Sequence, residues 1–129
     1  MTKGEIFPTY LAVERDRDVT IARFTVPRLT EEENIEQLGH ELALLTEKSD
    51  HRKVALDLSG VELLTSSALG KIITLHRKLH RSDGRLVLCN LSPQVREVMR
   101  VSRLIDYFKT AEDVPAAVAA LQVKSAPVV

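Results

Sequence analysis

Three consecutive hydroxyl side chains, those of Thr65, Ser66 and Ser67, are the best candidates for chemistry in this sequence. They follow a short apolar segment and precede a stretch with helical spacing, which predicts that they lie at the start of a helix. The first N–H groups of a helix lack intrahelical acceptors and form the positive end of its dipole, so an anion there is stabilised. A phosphoserine at this position would add about −1.5 to −2 charges and three acceptor oxygens. Judged by local spacing alone, simple N-capping is the favoured interpretation of these hydroxyls.

A pair of histidines and the single cysteine are weaker candidates. His76 and His80 stand four residues apart on one predicted helix, a spacing that can bind zinc. Apart from the distant Cys89, no third ligand lies near them in sequence, so the pair is predicted to be structural and no metal site is expected. Cys89 lies in an apolar segment and is predicted to be a buried core residue. The sequence has no nucleophile elbow and no glycine-rich phosphate loop, so we expect neither an enzyme nor a cofactor.

Basic side chains cluster on two of the predicted helices. The first group repeats at helical spacing on the third predicted helix, opposite its apolar stripe, and comprises Arg96, Arg100 and Arg103. The second group lies on and just after the second predicted helix and comprises Arg77, Lys78, Arg81 and Arg85. A solvated face is the favoured interpretation, because charged side chains are mostly exposed. The alternative is a docking surface for an acidic partner or for anionic lipid head groups.

The opening part of the chain predicts a hairpin followed by a helix. Strands are predicted over 10–15 and 19–26, joined by the charged turn at 16–18. Thr30 and Glu33 form a candidate capping box, which predicts a helix that runs to about Lys48. Its apolar stripe comprises Ile35, Leu38, Leu42 and Leu45.

Strands and helices alternate after this helix. Strands are predicted over 53–58, 85–90 and 105–108, and helices after Thr65, after Ser92-Pro93 and after Asp113. Gly84 is expected at the C′ position where the second helix ends. This alternation predicts an α/β domain with a mixed central sheet, in which the strands after the hairpin are parallel and about four helices pack on the sheet.

Length and composition exclude several classes of protein. The 129 residues, 44% apolar and 28% charged, are typical of one folded domain over 1–129, with a frayed tail over 124–129. No apolar run approaches the ~20 residues of a membrane helix, and the N-terminus lacks a signal-peptide core. With a single cysteine, these features predict a cytoplasmic protein without membrane insertion. The formal net charge of zero argues against nucleic-acid binding. The charge is nevertheless unevenly distributed: residues 1–64 contain 13 acidic and 8 basic side chains, and residues 65–129 contain 5 acidic and 10 basic side chains.

From residue 54 to about residue 121 the sequence resembles a STAS domain, the fold of bacterial anti-sigma factor antagonists. Three segments carry the resemblance: the strand and loop at 54–64, the helix start at 65–70, and 84–93, which ends in Asn-Leu-Ser-Pro. They match, in order and with near-equal spacing, the family's Asp-Leu strand end, its Asp-Ser-Ser-Gly-Leu-Gly helix start and its Asn-Leu-Ser-Pro helix start. The hairpin and the first helix fit the same fold more loosely.

The resemblance implies a protein-binding switch that regulates transcription. In the family, a serine kinase that doubles as the anti-sigma factor phosphorylates the first serine of the helix start, and a metal-dependent phosphatase reverses this. The unphosphorylated protein binds the kinase, which releases the sigma factor. By position the phosphoacceptor is Ser66, with Ser67 and Thr65 as the next candidates. The expected partner-binding residues are Thr30, Thr65, Ser66, Ser67, Ala68, Gly70 and Lys71.

Three positions depart from the family pattern. Thr65 stands where an acidic residue usually precedes the acceptor, Ala68 replaces the glycine after the serines, and Thr30 replaces an acid near the first helix. With hydroxyls in place of two carboxylates, a phosphate would be repelled less by its own protein. Two alternatives remain open: an unphosphorylated scaffold or accessory subunit of a stressosome-like or lipid-transport complex, and a nucleotide or small-ligand sensor. A monomer or weak dimer is expected.

Overall fold

The computed structural model describes residues 10–47 and 52–122. The strands are Leu11–Asp16 (β1), Val19–Phe24 (β2), Arg28–Leu29 (β3), Lys53–Asp57 (β4), Leu63–Leu64 (β5), Arg85–Cys89 (β6) and Lys109–Ala111 (β7). The helices are Glu32–Thr46 (α1), Ser66–Arg81 (α2), Pro93–Val101 (α3) and Val114–Gln122 (α4). The predicted tail over 124–129, the predicted helix break at 49–51 and the N-terminal segment over 1–9 lie outside the described residues.

Five strands form one mixed sheet in the order β1-β2-β4-β6-β7. β1 and β2 are antiparallel and are joined by a tight turn in which Arg17 has a φ of 61°. The neighbours β2 and β4, β4 and β6, and β6 and β7 are all parallel. The predicted fold class is therefore confirmed: an opening hairpin, parallel later strands and four helices.

Helices cover both faces of this sheet. On one face, α1, α2 and α3 pack into the larger core, which contains the whole predicted stripe of α1. On the other face, α4 packs through Ala117, Val118 and Leu121 into a smaller core that includes Cys89. β4 serves both cores, since Leu56 points to the first and Ala55 to the second. Burial on both faces explains why this strand is an unbroken apolar run rather than an alternating one.

A second, two-stranded sheet was not predicted. β3 and β5 pair in parallel, with Arg28 opposite Leu63 and Leu29 opposite Leu64. The pairing continues on either side, because the Leu63 N–H donates to the Pro27 carbonyl at 3.2 Å and the Thr65 N–H donates to the Leu29 carbonyl at 3.2 Å. This small sheet therefore holds the residues before α1 against the residues before α2.

The predicted capping box at Thr30 is wrong by one residue. The N-cap of α1 is Glu31, in extended conformation (φ −93°, ψ 139°), and the side chain of this N-cap residue makes no capping hydrogen bond. The Glu31 carbonyl accepts the first helical hydrogen bond, from the Ile35 N–H at 3.0 Å. Thr30 directly follows the paired residue Leu29, so the strand pairing delays the start of the helix and leaves Thr30 beside Thr65 instead of capping α1.

The end of α2 also differs in detail from the prediction. The residue with a left-handed backbone is Asp83 (φ 63°), and Gly84 is the residue after it. The Gly84 N–H donates to the Leu79 carbonyl at 2.6 Å and the Asp83 N–H to the His80 carbonyl at 3.2 Å, which is the pattern of a Schellman motif. Gly84 is required for another reason: a Cβ on it would lie 2.6 Å from the Arg52 carbonyl oxygen.

The strand predicted over 105–108 is wrong. These residues form turns, and β7 begins at Lys109. The Leu104 N–H donates to the Met99 carbonyl at 2.7 Å and the Tyr107 N–H to the Leu104 carbonyl at 3.0 Å, which keeps the segment compact. Phe108 is buried because its ring packs against His76 of α2, not because it lies in the sheet. Its apolar character therefore indicated burial, which a turn satisfies as well as a strand.

Candidate functional site

The two chain segments that carry Thr30 and Thr65 meet beside the small sheet. Each threonine follows directly on a strand of the parallel pair β3 and β5. Both side chains are half-buried and line the same cavity at the start of α2. Residues separated by 35 positions in sequence thus line one cavity; that this cavity binds a partner stays a prediction.

The three hydroxyls at the start of α2 have different roles. Thr65 is the N-cap, and its Oγ1 accepts a hydrogen bond from the Ala68 N–H at 3.2 Å. The capping interpretation therefore holds for this residue. Ser66 and Ser67 are exposed, and within 10–47 and 52–122 neither hydroxyl has a hydrogen-bond partner. Two of the three hydroxyls remain available to another molecule.

A groove runs between α1 and α2 beside these serines. We call it the α1–α2 groove; its volume is about 400 Å³. It is lined by Thr30, Glu32, Ile35, Glu36, Thr65, Ser67, Gly70, Lys71 and Thr74. Five of the seven expected partner-binding residues therefore lie in one concave surface. Ser66 is not in the lining but is the neighbour of Ser67 on the same exposed first turn.

The Lys71 side chain packs against α1 over Gly39. A Cβ on Gly39 would lie 2.8 Å from the Lys71 Cδ, so the missing side chain is what lets the lysine stem lie flat. The Lys71 ammonium is 3.5 Å from a Glu36 carboxylate oxygen. The glycine and the ion pair together position this cation at the edge of the α1–α2 groove.

The electrostatics of the site favour an anion on α2. The first turn of α2 contains no acidic residue, and among the described residues the Ser66 and Ser67 N–H groups have no acceptor. The α1 wall of the groove carries the carboxylates of Glu32 and Glu36. The site thus has an anion-accepting helix start on one side and negative charge on the other, even though the acids of the family pattern are absent.

Two expected partner-binding residues need separate comment. The Ala68 side chain is fully buried in the larger core, so a partner cannot contact its methyl group. Gly70 is half-buried, and nothing lies within 4 Å of the position a Cβ would take. Gly70 therefore leaves an open space on α2 that an approaching partner could fill.

The α1 side of the groove was missed by reasoning from the sequence. Glu32 and Glu36 stand one turn apart and could have been recognised as one face of an amphipathic helix. Gly39, a helix-interior glycine, was a signal of a close approach by another element. Neither feature indicated by itself that α2 would pack there.

The histidine pair and Cys89 occupy structural positions. The His76 and His80 rings stack with centroids 6.3 Å apart, and His76 also packs edge-on against Tyr107 and Phe108. Over the described ranges no group of three potential metal-ligating side chains occurs. Cys89 is buried, as predicted, and burial together with nearby Asp57 and Asp113 raises its pKa to about 12. It is thus a neutral thiol at physiological pH.

Asp57, at the end of β4, is a buried carboxylate whose role was not predicted. Its oxygens accept from the Asn90 side chain at 2.9 Å, from the Ser59 N–H at 2.9 Å and from the Arg23 Nε at 3.1 Å. Burial alone would raise the pKa of Asp57, but these hydrogen bonds outweigh it and lower the pKa below its usual value. The carboxylate therefore links β2, β4 and the residue after β6 as an anion.

Comparison with known families agrees with this architecture. A model of the STAS domain family matches residues 10–117, a range that begins before the hairpin and ends in α4. The chain belongs to the STAS domain family. The match includes the hairpin and first helix, whose resemblance to the family was looser in sequence.

Individual relatives of this STAS domain are named as anti-sigma factor antagonists. BtrV of Bordetella bronchiseptica, whose name assigns that role provisionally, is 38% identical over 89 residues, which cover 69% of this chain and 76% of BtrV. The structure of an anti-sigma factor antagonist (STAS) domain protein from Planctomyces limnophilus superposes with a TM-score of 0.77 at 25% identity, covering 86% of this chain and 96% of that one.

A structure of a phosphorylated relative shares the fold. The Bacillus cell fate determinant SpoIIAA in its phosphorylated form superposes with a TM-score of 0.64 at 21% identity, covering 85% of this chain and 98% of that one. At this identity the likeness concerns the fold alone. None of the described helices of this STAS domain is long and apolar enough to cross a membrane.

Proposed function

We propose that this STAS domain is an anti-sigma factor antagonist that is switched by phosphorylation of Ser66. In this proposal the unphosphorylated protein binds a serine kinase of the anti-sigma type, and phosphorylation by that kinase ends the binding. The observation that carries the proposal is an exposed serine at a helix start beside a concave surface, whose hydroxyl has no hydrogen-bond partner among the described residues. The name of BtrV and the family membership support it.

Ser66 is favoured over its neighbours on structural grounds. The Thr65 hydroxyl already accepts the capping bond from Ala68, so its modification would disturb the helix start. Ser67 is exposed but faces the α1–α2 groove, where Glu32 and Glu36 would repel a phosphate. Ser66 lies outside that lining and is the first residue of α2. It is therefore the hydroxyl that a kinase can reach with the least repulsion from the domain.

The start of α2 can accept a phosphate without unfolding. The N–H groups of Ser66 and Ser67 have no acceptor among the described residues, and a phosphate at a helix N-terminus is stabilised by such groups and by the dipole. The modification would thus leave the fold unchanged and alter only the surface offered to the kinase. A phosphatase that removes the group would restore binding.

The proposed docking surface is the α1–α2 groove together with the exposed first turn of α2. Thr30, Thr65, Ser67, Gly70 and Lys71 line the groove, and Ser66 lies beside it. Ala68 contributes only its backbone, because its side chain is buried. Lys71 supplies the positive charge within this surface, held in place by Glu36.

Incubation with ATP and a cognate anti-sigma kinase tests the acceptor assignment. We expect the wild-type chain to gain the mass of one phosphate and the Ser66→Ala variant to gain none, because its acceptor oxygen is missing. Intact-mass spectrometry measures both. Ser67→Ala is the matched control and should be phosphorylated like the wild type. A gain that persists in Ser66→Ala, or that disappears in Ser67→Ala instead, would show that Ser66 is not the acceptor.

The same experiment separates the phosphoswitch from a constitutive scaffold. A scaffold or accessory subunit would bind its partner stably and remain at the unmodified mass after incubation with ATP. Stable co-purification with a partner and no phosphorylation of any of the three hydroxyls would favour that function.

Gly70→Ala should separate stability from partner binding. The added methyl group meets open space and removes a helix-interior glycine, so the free energy of unfolding should rise by about 0.5–1 kcal/mol. The same methyl projects into the proposed docking surface, so kinase binding should weaken several-fold. Thermal unfolding and titration calorimetry on one preparation measure both quantities. An unchanged affinity would mean that the partner does not approach α2 at Gly70.

A further inference from the structure

The helices α2 and α3 end at the same edge of the sheet, opposite the edge that carries Ser66. Each of them connects two neighbouring parallel strands, α2 after β4 and α3 after β6, so both run back from the carboxyl ends of the strands to their amino ends. Ser66 begins α2 and Arg81 ends it, which separates the two by about 22 Å along the helix axis. A surface at this second edge is thus distinct from the α1–α2 groove, and the inference drawn from it does not rest on the proposed function.

The end of α3 and the turn that follows it expose apolar side chains at this edge. Among the described residues three large apolar side chains are exposed, and two of them are Val101, at 67%, and Tyr107, at 42%. The Tyr107 ring packs edge-on against His76, with centroids 5.1 Å apart, which joins the turn to α2. Leu104 and Ile105, between the two exposed residues, are partly buried against the larger core. The exposed apolar groups are therefore carried by a segment that is packed on the core.

Arginines without protein partners surround these apolar groups. Arg77 and Arg81 stand one helical turn apart on α2, and Arg103 lies in the turn after α3. All three are exposed, and no carboxylate in the described parts of the chain pairs with any of them. The residues 77–83 and 101–109 together contain five basic and two acidic side chains. This edge therefore combines exposed apolar groups with a net positive charge.

The backbone of Arg103 has a conformation that favours glycine. Its φ is 62°, in the left-handed region, and the Leu104 N–H donates to the Met99 carbonyl at 2.7 Å, as in a Schellman motif at the end of α3. Glycine would adopt this conformation at a lower cost in free energy. An exposed arginine at such a position, unpaired within the described ranges, favours a role toward a partner outside the chain.

We propose that this edge docks peripherally on an anionic lipid surface. Val101 and Tyr107 would enter the boundary between head groups and acyl chains. Arg77, Arg81 and Arg103 would bind the lipid phosphates. A lipid surface fits better than an acidic protein does, because Val101 is exposed over most of its surface and a fluid bilayer receives such a side chain without a preformed pocket. The docked domain would present the start of α2, at the opposite edge, to the solvent.

Co-flotation of the full chain with lipid vesicles tests this proposal. Vesicles of phosphatidylglycerol and phosphatidylcholine in equal parts are compared with vesicles of phosphatidylcholine alone. We expect reversible binding to the anionic vesicles and at least about tenfold weaker binding to the neutral ones. Most of the binding should be lost in 1 M salt, where charges are screened beyond about 3 Å. Equal binding to both kinds of vesicle, or no binding to either, would overturn the proposal.

Charge variants locate the docking surface. Arg77→Gln combined with Arg103→Gln should weaken vesicle binding at least about tenfold, since each arginine near an anionic surface contributes about fivefold. The matched control, Arg28→Gln combined with Arg96→Gln, removes the same charge from exposed positions in β3 and in the first turn of α3, and should change binding less than about twofold. Asp106→Asn should strengthen binding, because it removes a negative charge from the turn. Equal losses in the two arginine pairs would reduce the effect to net charge and contradict the site.

Apolar variants separate insertion from electrostatic attraction. Val101→Ser should weaken vesicle binding several-fold, because its apolar group no longer enters the bilayer. Leu63→Ser is the matched control, since Leu63 is the third exposed apolar side chain of the described residues and lies in β5, beside the start of α2. Circular dichroism shows whether each variant is folded. Unchanged binding of Val101→Ser, or an equal loss in Leu63→Ser, would contradict insertion at this edge. A glutamate-rich peptide that displaces the protein at a lower concentration of negative charge than the lipid supplies would assign the edge to an acidic protein instead.

Discussion

Ser66→Asp should weaken binding of the anti-sigma kinase at least about tenfold, and full phosphorylation should weaken it further. The proposed docking surface already carries the carboxylates of Glu32 and Glu36 on its α1 wall. A kinase surface that complements these carboxylates cannot also favour a new negative charge at Ser66. Like charges brought together in an interface cost several kcal/mol of binding free energy, and about 1.4 kcal/mol corresponds to a tenfold loss of affinity. Aspartate supplies one charge and a phosphate about two, so the variant gives the lower bound. Titration calorimetry with the purified kinase measures the effect.

Ser66→Asn is the matched control for this prediction. Asparagine has nearly the shape of aspartate but no charge, so it should reduce binding far less. The aspartate variant should also be no less stable than the wild type, because an acid in the first turn of a helix is favoured by about 0.3–1 kcal/mol. A lowered melting temperature for Ser66→Asp, an equal loss in Ser66→Asn, or undiminished binding of the aspartate variant would each contradict an electrostatic switch at this position.

The features that were predictable from the sequence rest on local patterns. The hairpin follows from two strand-like segments around a charged turn, of which the second is rich in β-branched residues. The stripe of α1 follows from residues three and four apart, all of which are buried. Thr65 as a cap and Ser92-Pro93 as a helix start are likewise local, and Ser92 does accept a hydrogen bond from the Val95 N–H at 3.1 Å. Each of these signals is contained within a few residues, so no knowledge of the rest of the chain was needed.

The features that were missed depend on contacts between distant residues. The strands β3 and β5 have two residues each, too few for any periodicity, and their pairing is what moves the start of α1 beyond Thr30. The position of Lys71 depends on Gly39 and Glu36 of another helix. The helix start that bears Ser66 was therefore predictable, whereas the shape and charge of the groove beside it were not.

Replacing Asp57 with alanine should lower the free energy of unfolding by about 3 kcal/mol, the largest effect on stability that we predict. The carboxylate is buried and accepts three hydrogen bonds, so its removal leaves the Asn90 side chain and the Ser59 N–H without their acceptor. Arg23 is half-exposed and can be solvated instead, which keeps the loss at the lower end of the range for buried ion pairs. Urea-induced unfolding of the wild type and the variant measures the difference.

The pH dependence of the same site has a definite sign. Because the pKa of Asp57 is lowered in the folded protein, its stabilising contribution is present above the unfolded value of about 3.9 and is lost as the pH falls through the lower, folded value. The gap in stability between the wild type and Asp57→Asn should therefore be widest near neutral pH and should narrow below about pH 4.

Asp18→Asn provides the control that separates burial from pairing. The pKa of Asp18 is lowered to about 2 by Lys53 and Gln122, but this carboxylate is exposed to solvent, so water and salt weaken what its partners contribute. Its replacement should cost less than that of Asp57, and the cost should shrink in 1 M salt, whereas the cost at Asp57 should persist. Hydrogen bonds to a carboxylate are strong only where the carboxylate is desolvated. If the loss of stability in Asp57→Ala proved as small and as salt-sensitive as that in Asp18→Asn, the hydrogen bonds that Asp57 accepts would not be what holds the strand ends together.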